Sequence, residues 1–282
     1  MNRRGKMKRK KIPTFQITIG ITALVMLILA FTPIILMLTL SLKSNVQIYG
    51  DFFALPNPIQ WANYDKAISM LIPNMINTMI VVTLATLLTG VLSAMGGYVF
   101  ATMEFPGKNF LFFAVLSLMM VPGVLTLTPQ YSLIQTYGIY NTWLALILPW
   151  VSGGQVFGIL LCRTFMQGLP KELFESAKID GCTDLGILAK IAVPLSKPII
   201  ATVVVMKMID YYNDFIWPLM AIENNSKQVI TVAIRVFQSA TGSIDLGSMV
   251  AGFVFATLPL FILFIFTSRL YMEGLTSGAV KG

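Results

Sequence analysis

NFLFFAVLSLMMVPGVLTLTPQYSLIQTYGIYNTWLALILPWVSGGQVFGILLC, residues 109–162, runs for 54 residues without an Asp, Glu, Lys or Arg. A helix crossing the hydrocarbon core of a bilayer needs about 20 mostly apolar residues. The stretch therefore has room for two crossings, separated by the more polar Pro129-Gln130-Tyr131 through Gly138 and Asn141. Three more uncharged runs flank it: 31 residues between Lys11 and Lys43, 37 between Lys66 and Glu104, and 23 between Asp245 and Arg269. The cores of soluble proteins do not produce such runs. Only 11% of the 282 residues are charged, against about 25% in a soluble domain. The expected fold class is an all-α membrane protein of six transmembrane helices, over residues 17–42, 74–100, 110–127, 143–161, 198–219 and 246–270. A basic segment, 1–16, precedes the 17–270 transmembrane domain, a hydrophilic loop, 163–197, interrupts it, and a tail, 271–282, follows it.

The net charge of +8 could suggest a nucleic-acid partner. Seven of the 20 basic residues, however, are Arg3, Arg4, Lys6, Lys8, Arg9, Lys10 and Lys11, directly before the first apolar run. Such a cluster sets orientation and touches anionic lipid, which argues for a lipid membrane and against nucleic acid. With the N-terminus inside, the cytoplasmic segments hold 15 Lys and Arg and the outer segments four, so both termini are placed in the cytoplasm. The first apolar run exceeds the 7–15 residues of a signal h-region and ends without an Ala-x-Ala site, so it is read as an uncleaved span. After it, Trp61 and Tyr64 suit an interfacial aromatic belt.

The hydrophilic loop holds the pattern that bears on function. Lys171 to Pro198 reads KELFESAKIDGCTDLGILAKIAVPLSKP, which predicts two short helices and a turn. Pro170 suits a helix start, and Glu172 and Glu175 favour the positive end of a helix dipole. Gly181 can take the left-handed stop, Thr183 can cap the second helix, and Pro194 is expected to end it. A preformed helical knob of this kind fits a groove on another protein.

Glu175-Ser176-Ala177, Asp180-Gly181 and, after nine intervening residues, Ile191-Ala192-Val193-Pro194 resemble the EAA loop of bacterial ABC-importer permeases. Ser176 replaces the first Ala of that pattern and Cys182 a common Ala; both are small. The resemblance extends along the chain. Gly274 to Gly282, GLTSGAVKG, is similar to the end of maltose-type second permease subunits. Tyr212 to Leu219, YNDFIWPL, is similar to a segment in the fifth span of those subunits, and Pro58 to Tyr64, PIQWANY, to a family element after the first span. The resemblance implies a type I ABC-importer permease fold in the cytoplasmic membrane of a bacterium, importing a sugar or oligosaccharide. It also implies a second permease subunit, two ATPase subunits and an extracytoplasmic solute-binding protein as partners. In the family the loop docks in an ATPase cleft, giving Glu175, Ser176, Ala177, Asp180, Gly181, Ile191 and Pro194 a coupling role. By the same analogy the tail, through Gly274, Thr276, Gly278 and Lys281, reaches the ATPase.

Lys207, Asp210 and Asp214 recur at i, i+3 and i+7 in the fifth span, with Asn213 beside them. Ionisable groups within spans face protein or water. Two readings stay open: a wet wall of the solute pathway, or a Lys207–Asp210 pair with Asp214 at the outer interface. Gly90, Ser93, Ala94 and Gly97 predict close helix packing in the second span. With no His and only Cys162 and Cys182, no metal site and no disulfide is expected. No Gly-x-x-x-x-Gly-Lys-Ser/Thr phosphate cradle occurs, so the chain is not expected to be an enzyme; ATP and Mg belong on a partner. The rivals are an ion-driven secondary transporter, a membrane scaffold, or the same architecture importing glycerol phosphate or a polyol.

Overall fold

The computed structural model describes residues 14–238 and 244–279. The first helix, α1 (Thr14–Ser41), is apolar on every side and exposed from Thr18 to Ile35, while Leu36 to Leu40 are mostly half-buried and Ser41 is buried. Lipid makes this stable, because a helix satisfies its own backbone where no water can. The Thr22, Thr32 and Thr39 hydroxyls donate back to carbonyls one turn earlier, so they add no unmet polar group. After the short α2 (Asn45–Gly50), α3 (Ala62–Thr102) runs unbroken for 41 residues. At 1.5 Å per residue that is about 60 Å, twice the hydrocarbon thickness.

The third expected span is not one straight helix. It is α4 (Lys108–Ser117), a 3-10 turn over Leu118–Met120, and α5 (Gly123–Thr136), bent by 99°. The break falls at Val121-Pro122 rather than at Pro129, which lies inside α5. Pro122 forces its predecessor out of helical geometry, and Val121 is extended at φ −80 and ψ 117. Then come α6 (Leu144–Met166), α7 (Lys171–Ile179), α8 (Asp184–Ile187), a π turn over Leu188–Ala192, and α9 (Val193–Leu195). A second bend, of 80°, leads into α10 (Lys197–Asn213), followed by α11 (Ile216–Ala221), α12 (Ile230–Ala233) and α13 (Leu246–Ala279). Among the described residues, four helices are long and apolar enough to cross a membrane, or up to six spans if each bent pair counts as one.

The described residues divide into two compact units, those within 1–67 and 237–254 and those within 68–236 and 255–282. In the first, Asn63 donates to the Ser41 and Lys43 carbonyls, and Asn45 bonds Ile244 and Leu246. Lys66 pairs with Asp245 at 2.5 Å. Partial burial works to raise the Asp245 pKa. Hydrogen bonds from Lys66 and Ser248 outweigh it and hold this carboxyl below its ordinary value.

In the second unit, small residues let α3, α6 and α10 approach closely. A Cβ on Gly97 would collide with Cys162, one on Gly158 with Ser93, and one on Gly90 with Val204. Between helices in lipid, such close approach supplies the attraction that hydrophobicity does not. The segment after α11 is knitted to α3. Asn74 donates to the Asn225 and Gln228 carbonyls at 2.8 and 2.9 Å, and Thr78 accepts from the Ile230 amide at 2.8 Å. Gln228 is itself buried and donates to the Pro218 and Ile222 carbonyls.

Candidate functional site

The helix–turn–helix knob is built by its own caps. Asp180 and Gly181 close α7 in a Schellman turn: the Cys182 amide bonds the Ala177 carbonyl at 2.9 Å, and the Gly181 amide bonds that of Lys178 at 3.1 Å. Gly181 sits at φ +76, where a Cβ is disfavoured. The Thr183 hydroxyl accepts from the Gly186 amide at 3.2 Å and starts α8. Pro194 does not end the helical run as expected. It lies in the first turn of α9, where its missing N–H costs little, and the chain bends two residues later at Ser196.

One face of the knob is seated on the spans. Phe174, Ala177, Ile187, Leu188 and Ala192 are buried together with Tyr98 of α3, Cys162 and Met166 of α6, and Ile199 and Val203 of α10. The rings of Tyr98 and Phe174 lie 6.3 Å apart. The opposite face is open: Glu175, Ser176, Asp180, Gly181 and Pro194 are exposed, Ile191 is half-buried, and Ile179 and Leu185 project outward. Of the seven residues assigned to docking, Ala177 alone is buried, where it holds α7 down. The free cysteines fall on both sides of this division, Cys162 buried and Cys182 exposed.

The second feature is a cavity of about 670 Å³ between α5, α6, α10 and α11. Lys207, Asp210, Asn213 and Asp214 all line it, with Gln130, Trp150, Tyr211 and Trp217. Lys207 pairs with Asp210 at 2.9 Å. Asp214 does not share their helical face, because α10 stops at Asn213 and Asp214 is extended. Its carboxylate instead accepts from the Trp150 indole at 2.7 Å and from the Trp217 amide at 3.3 Å. The Asn213 amide group donates to the Ile209 carbonyl.

Trp150, Tyr211 and Trp217 carry the shape of this wall; of the three, only Trp217 stood in a segment read from the sequence, YNDFIWPL, and without a role of its own. Trp150 and Tyr211 stack at 5.2 Å with planes 5° apart. The Tyr211 hydroxyl donates to the Trp150 carbonyl at 2.6 Å, over Gly154, where any Cβ would collide with it. Pro149 lacks the N–H that would bond the Ala145 carbonyl, and the Trp217 indole supplies that donor at 2.9 Å. Pro149 marks the orphaned carbonyl in the sequence, but nothing there says which donor reaches it.

The family described as the inner membrane component of binding-protein-dependent transport systems matches residues 12–272. The chain belongs to that family. This permease is 32% identical over 251 residues to the probable ABC transporter permease protein YurM of Bacillus subtilis, covering 89% of this chain and 83% of that one. It is 35% identical over 190 residues to the arabinooligosaccharides transport system permease protein AraQ of Halalkalibacterium halodurans, with 67% of each chain covered. It is 31% identical over 259 residues to the trehalose transport system permease protein SugB of Mycobacterium tuberculosis, covering 90% and 93%. In fold the permease matches a chain of a crystal structure of a bacterial ABC transporter for alginate. The TM-score is 0.80 at 19% identity, covering 94% and 99% of the two chains. The permease is thus a multi-pass membrane transport component. For the tail, Gly274, Thr276 and Gly278 lie where the α13 backbone alone is described, and Lys281 lies outside the described residues.

Proposed function

We propose that this chain is one permease subunit of an ATP-driven importer of neutral saccharides in a bacterial cytoplasmic membrane. The observation that carries the coupling half of this reading is the knob. Its inner face is packed on three membrane helices, and its outer face offers Glu175, Asp180 and the ridge of Ile179 and Leu185. A rigid body attached to several helices transmits a push from a docked subunit to all of them at once. In this reading α1, α3, the α4–α5 pair, α6, α10 and α13 are the crossings and both termini are cytoplasmic, so the knob between α6 and α10 lies on the ATP side. Two ATPase subunits, with ATP and Mg, then drive the pore, a second permease completes it, and an extracytoplasmic binding protein delivers the solute. By the family resemblance, Gly274, Thr276, Gly278 and Lys281 of the tail serve contact with the same ATPase.

The cavity supports the saccharide half. Its ion pair cancels Lys207 against Asp210 and leaves Asp214 as a fixed carboxylate, so the wall is net negative. Such a wall repels glycerol phosphate and accepts hydrogen bonds from hydroxyls. The named cargoes of two relatives, arabinooligosaccharides and trehalose, are uncharged as well.

The test is the complete importer in liposomes, with wild type compared against Glu175→Ala and Gly181→Pro after equal assembly is verified. Proline cannot adopt φ +76, so the second change destroys the turn. Substrate-stimulated ATP hydrolysis and uptake of arabinotriose or trehalose are both expected to fall. Wild-type rates in both variants would remove the docking role, and uptake of glycerol phosphate in preference to every neutral sugar would remove the cargo class.

A further inference from the structure

We infer that Asp210, held in place by Lys207, reads the hydroxyl groups of the solute, together with Gln130 and Asn213 on the same cavity wall. The inference rests on the saccharide-importer reading and assigns the contacts that this subunit makes within it. Lys207 and Asp210 cancel in charge, yet they are not equally presented. The Lys207 side chain is 16% exposed and that of Asp210 57%, so the pair meets the cavity carboxylate first. The Lys207 ammonium donates to Asp210 Oδ2 at 2.9 Å and lies 5.6 Å from the centre of the Phe157 ring. Asp210 Oδ1 has no hydrogen-bond partner among the described residues.

The rest of the wall has turned its donors inward. The Trp150 indole bonds Asp214, the Trp217 indole bonds the Ala145 carbonyl, and the Tyr211 hydroxyl bonds the Trp150 carbonyl. The side-chain amides of Asn213 and Gln130 each donate within their own helix, to the Ile209 carbonyl and to the Thr126 hydroxyl. Their oxygens, like Asp210 Oδ1, have no partner among the described residues. Three acceptor oxygens, one from α5 and two from α10, thus line one cavity. A saccharide offers a donor at every hydroxyl, whereas an ionised phosphate or carboxylate oxygen offers none.

The position of Asp210 argues for a solute as the occupant. It lies 13 residues beyond Lys197, the first residue of α10, which is about 20 Å along the axis. An ionised group at that depth faces protein or water, not lipid. The cavity is walled by α5, α6, α10 and α11, and its volume of about 670 Å³ is that of a small-molecule site. A helix of the second permease would pack ridge into groove and leave a hollow of this size unfilled.

The test follows initial uptake of trehalose or arabinotriose by the complete importer in liposomes, as a function of loaded binding protein. Equal assembly and melting temperature are verified first. Asp210→Asn should lower the maximal rate about ten-fold or more, the effect of losing a hydrogen bond to a charged group, and leave half-saturation within about two-fold. Lys207→Arg should keep most of the wild-type rate. Lys207→Met combined with Asp210→Asn should be as slow as Asp210→Asn alone. If the pair served only to cancel charge, removing both partners would restore the wild-type rate. Gln130→Met changes no charge and should slow uptake about three-fold or more; it decides the matter if the double variant fails to assemble. A wild-type rate in the double variant or in Gln130→Met overturns the inference and leaves the importer reading intact. Failure of the wild type to take up any neutral saccharide overturns both.

Discussion

Phe174→Ala tests whether the knob works as a rigid attachment. Phe174 is buried against Tyr98 and Met166, and replacing a buried Phe with Ala costs about 3–5 kcal/mol. Few other contacts hold α7, a nine-residue helix whose remaining buried residue is the small Ala177. The loss therefore falls on local opening of the knob rather than on the spans, which keep their own packing. At about 1.4 kcal/mol per decade, the open population rises by about two to nearly four orders of magnitude. Hydrogen exchange at the amides of residues 172–182, measured by mass spectrometry on the assembled importer, reads this directly. Exchange in α6 should stay as in wild type, ATP hydrolysis should persist, and uptake per ATP should fall. Glu175→Ala leaves the seat untouched and should show normal exchange. If Phe174→Ala exchanged within about three-fold of wild type at 172–182, α7 would not be held by this ring, and the attachment argument would fail.

Three further outcomes follow from single contacts. Gly158→Val pushes a branched side chain into Ser93 and should cost about 1–3 kcal/mol by overpacking, seen as a lower melting temperature, whereas Gly153→Ala, with open space around it, should not destabilise. Trp217→Phe orphans the Ala145 carbonyl at a cost of about 1–3 kcal/mol, and Pro149→Ala in the same chain restores a donor. The double variant should recover part of that loss in a thermodynamic cycle; simple additivity would refute the pairing. The Asp245 pKa is depressed, so its stabilisation is full above the ordinary carboxylate value near 4 and is lost as pH falls through the lower folded value. Both partners are partly exposed, so the amount is at most about 1 kcal/mol. Asp245→Asn should flatten that acid limb of the melting curve, and an unchanged limb would assign it to other groups.

The apolar runs and the knob were legible in the sequence, and the bends were not. Gly181, Thr183 and the flanking acids specify a turn through bonds spanning a few residues, so spacing alone predicted the helix–turn–helix. Pro122 and Pro129 look alike as letters. Which of them breaks the third span depends on the surroundings of each, and the break fell at Pro122. Likewise Lys207 and Asp210, three residues apart, met as the helical period requires. Asp214 did not join them, because the helix ended one residue earlier and its carboxylate turned toward Trp150, 64 residues away in the chain.

What the sequence by itself determined is the membrane class and the rough position of each apolar segment. Lipid offers the backbone no partner, so every crossing must bond within itself, and length with apolarity suffices to mark it. Which faces meet was decided only in three dimensions. Lipid tails are as apolar as Leu or Val, so hydrophobicity does not label the inner side of a helix. Fit did so instead: Gly97 against Cys162, Gly158 against Ser93, and the Asn74 amide against the Gln228 carbonyl, 154 residues apart.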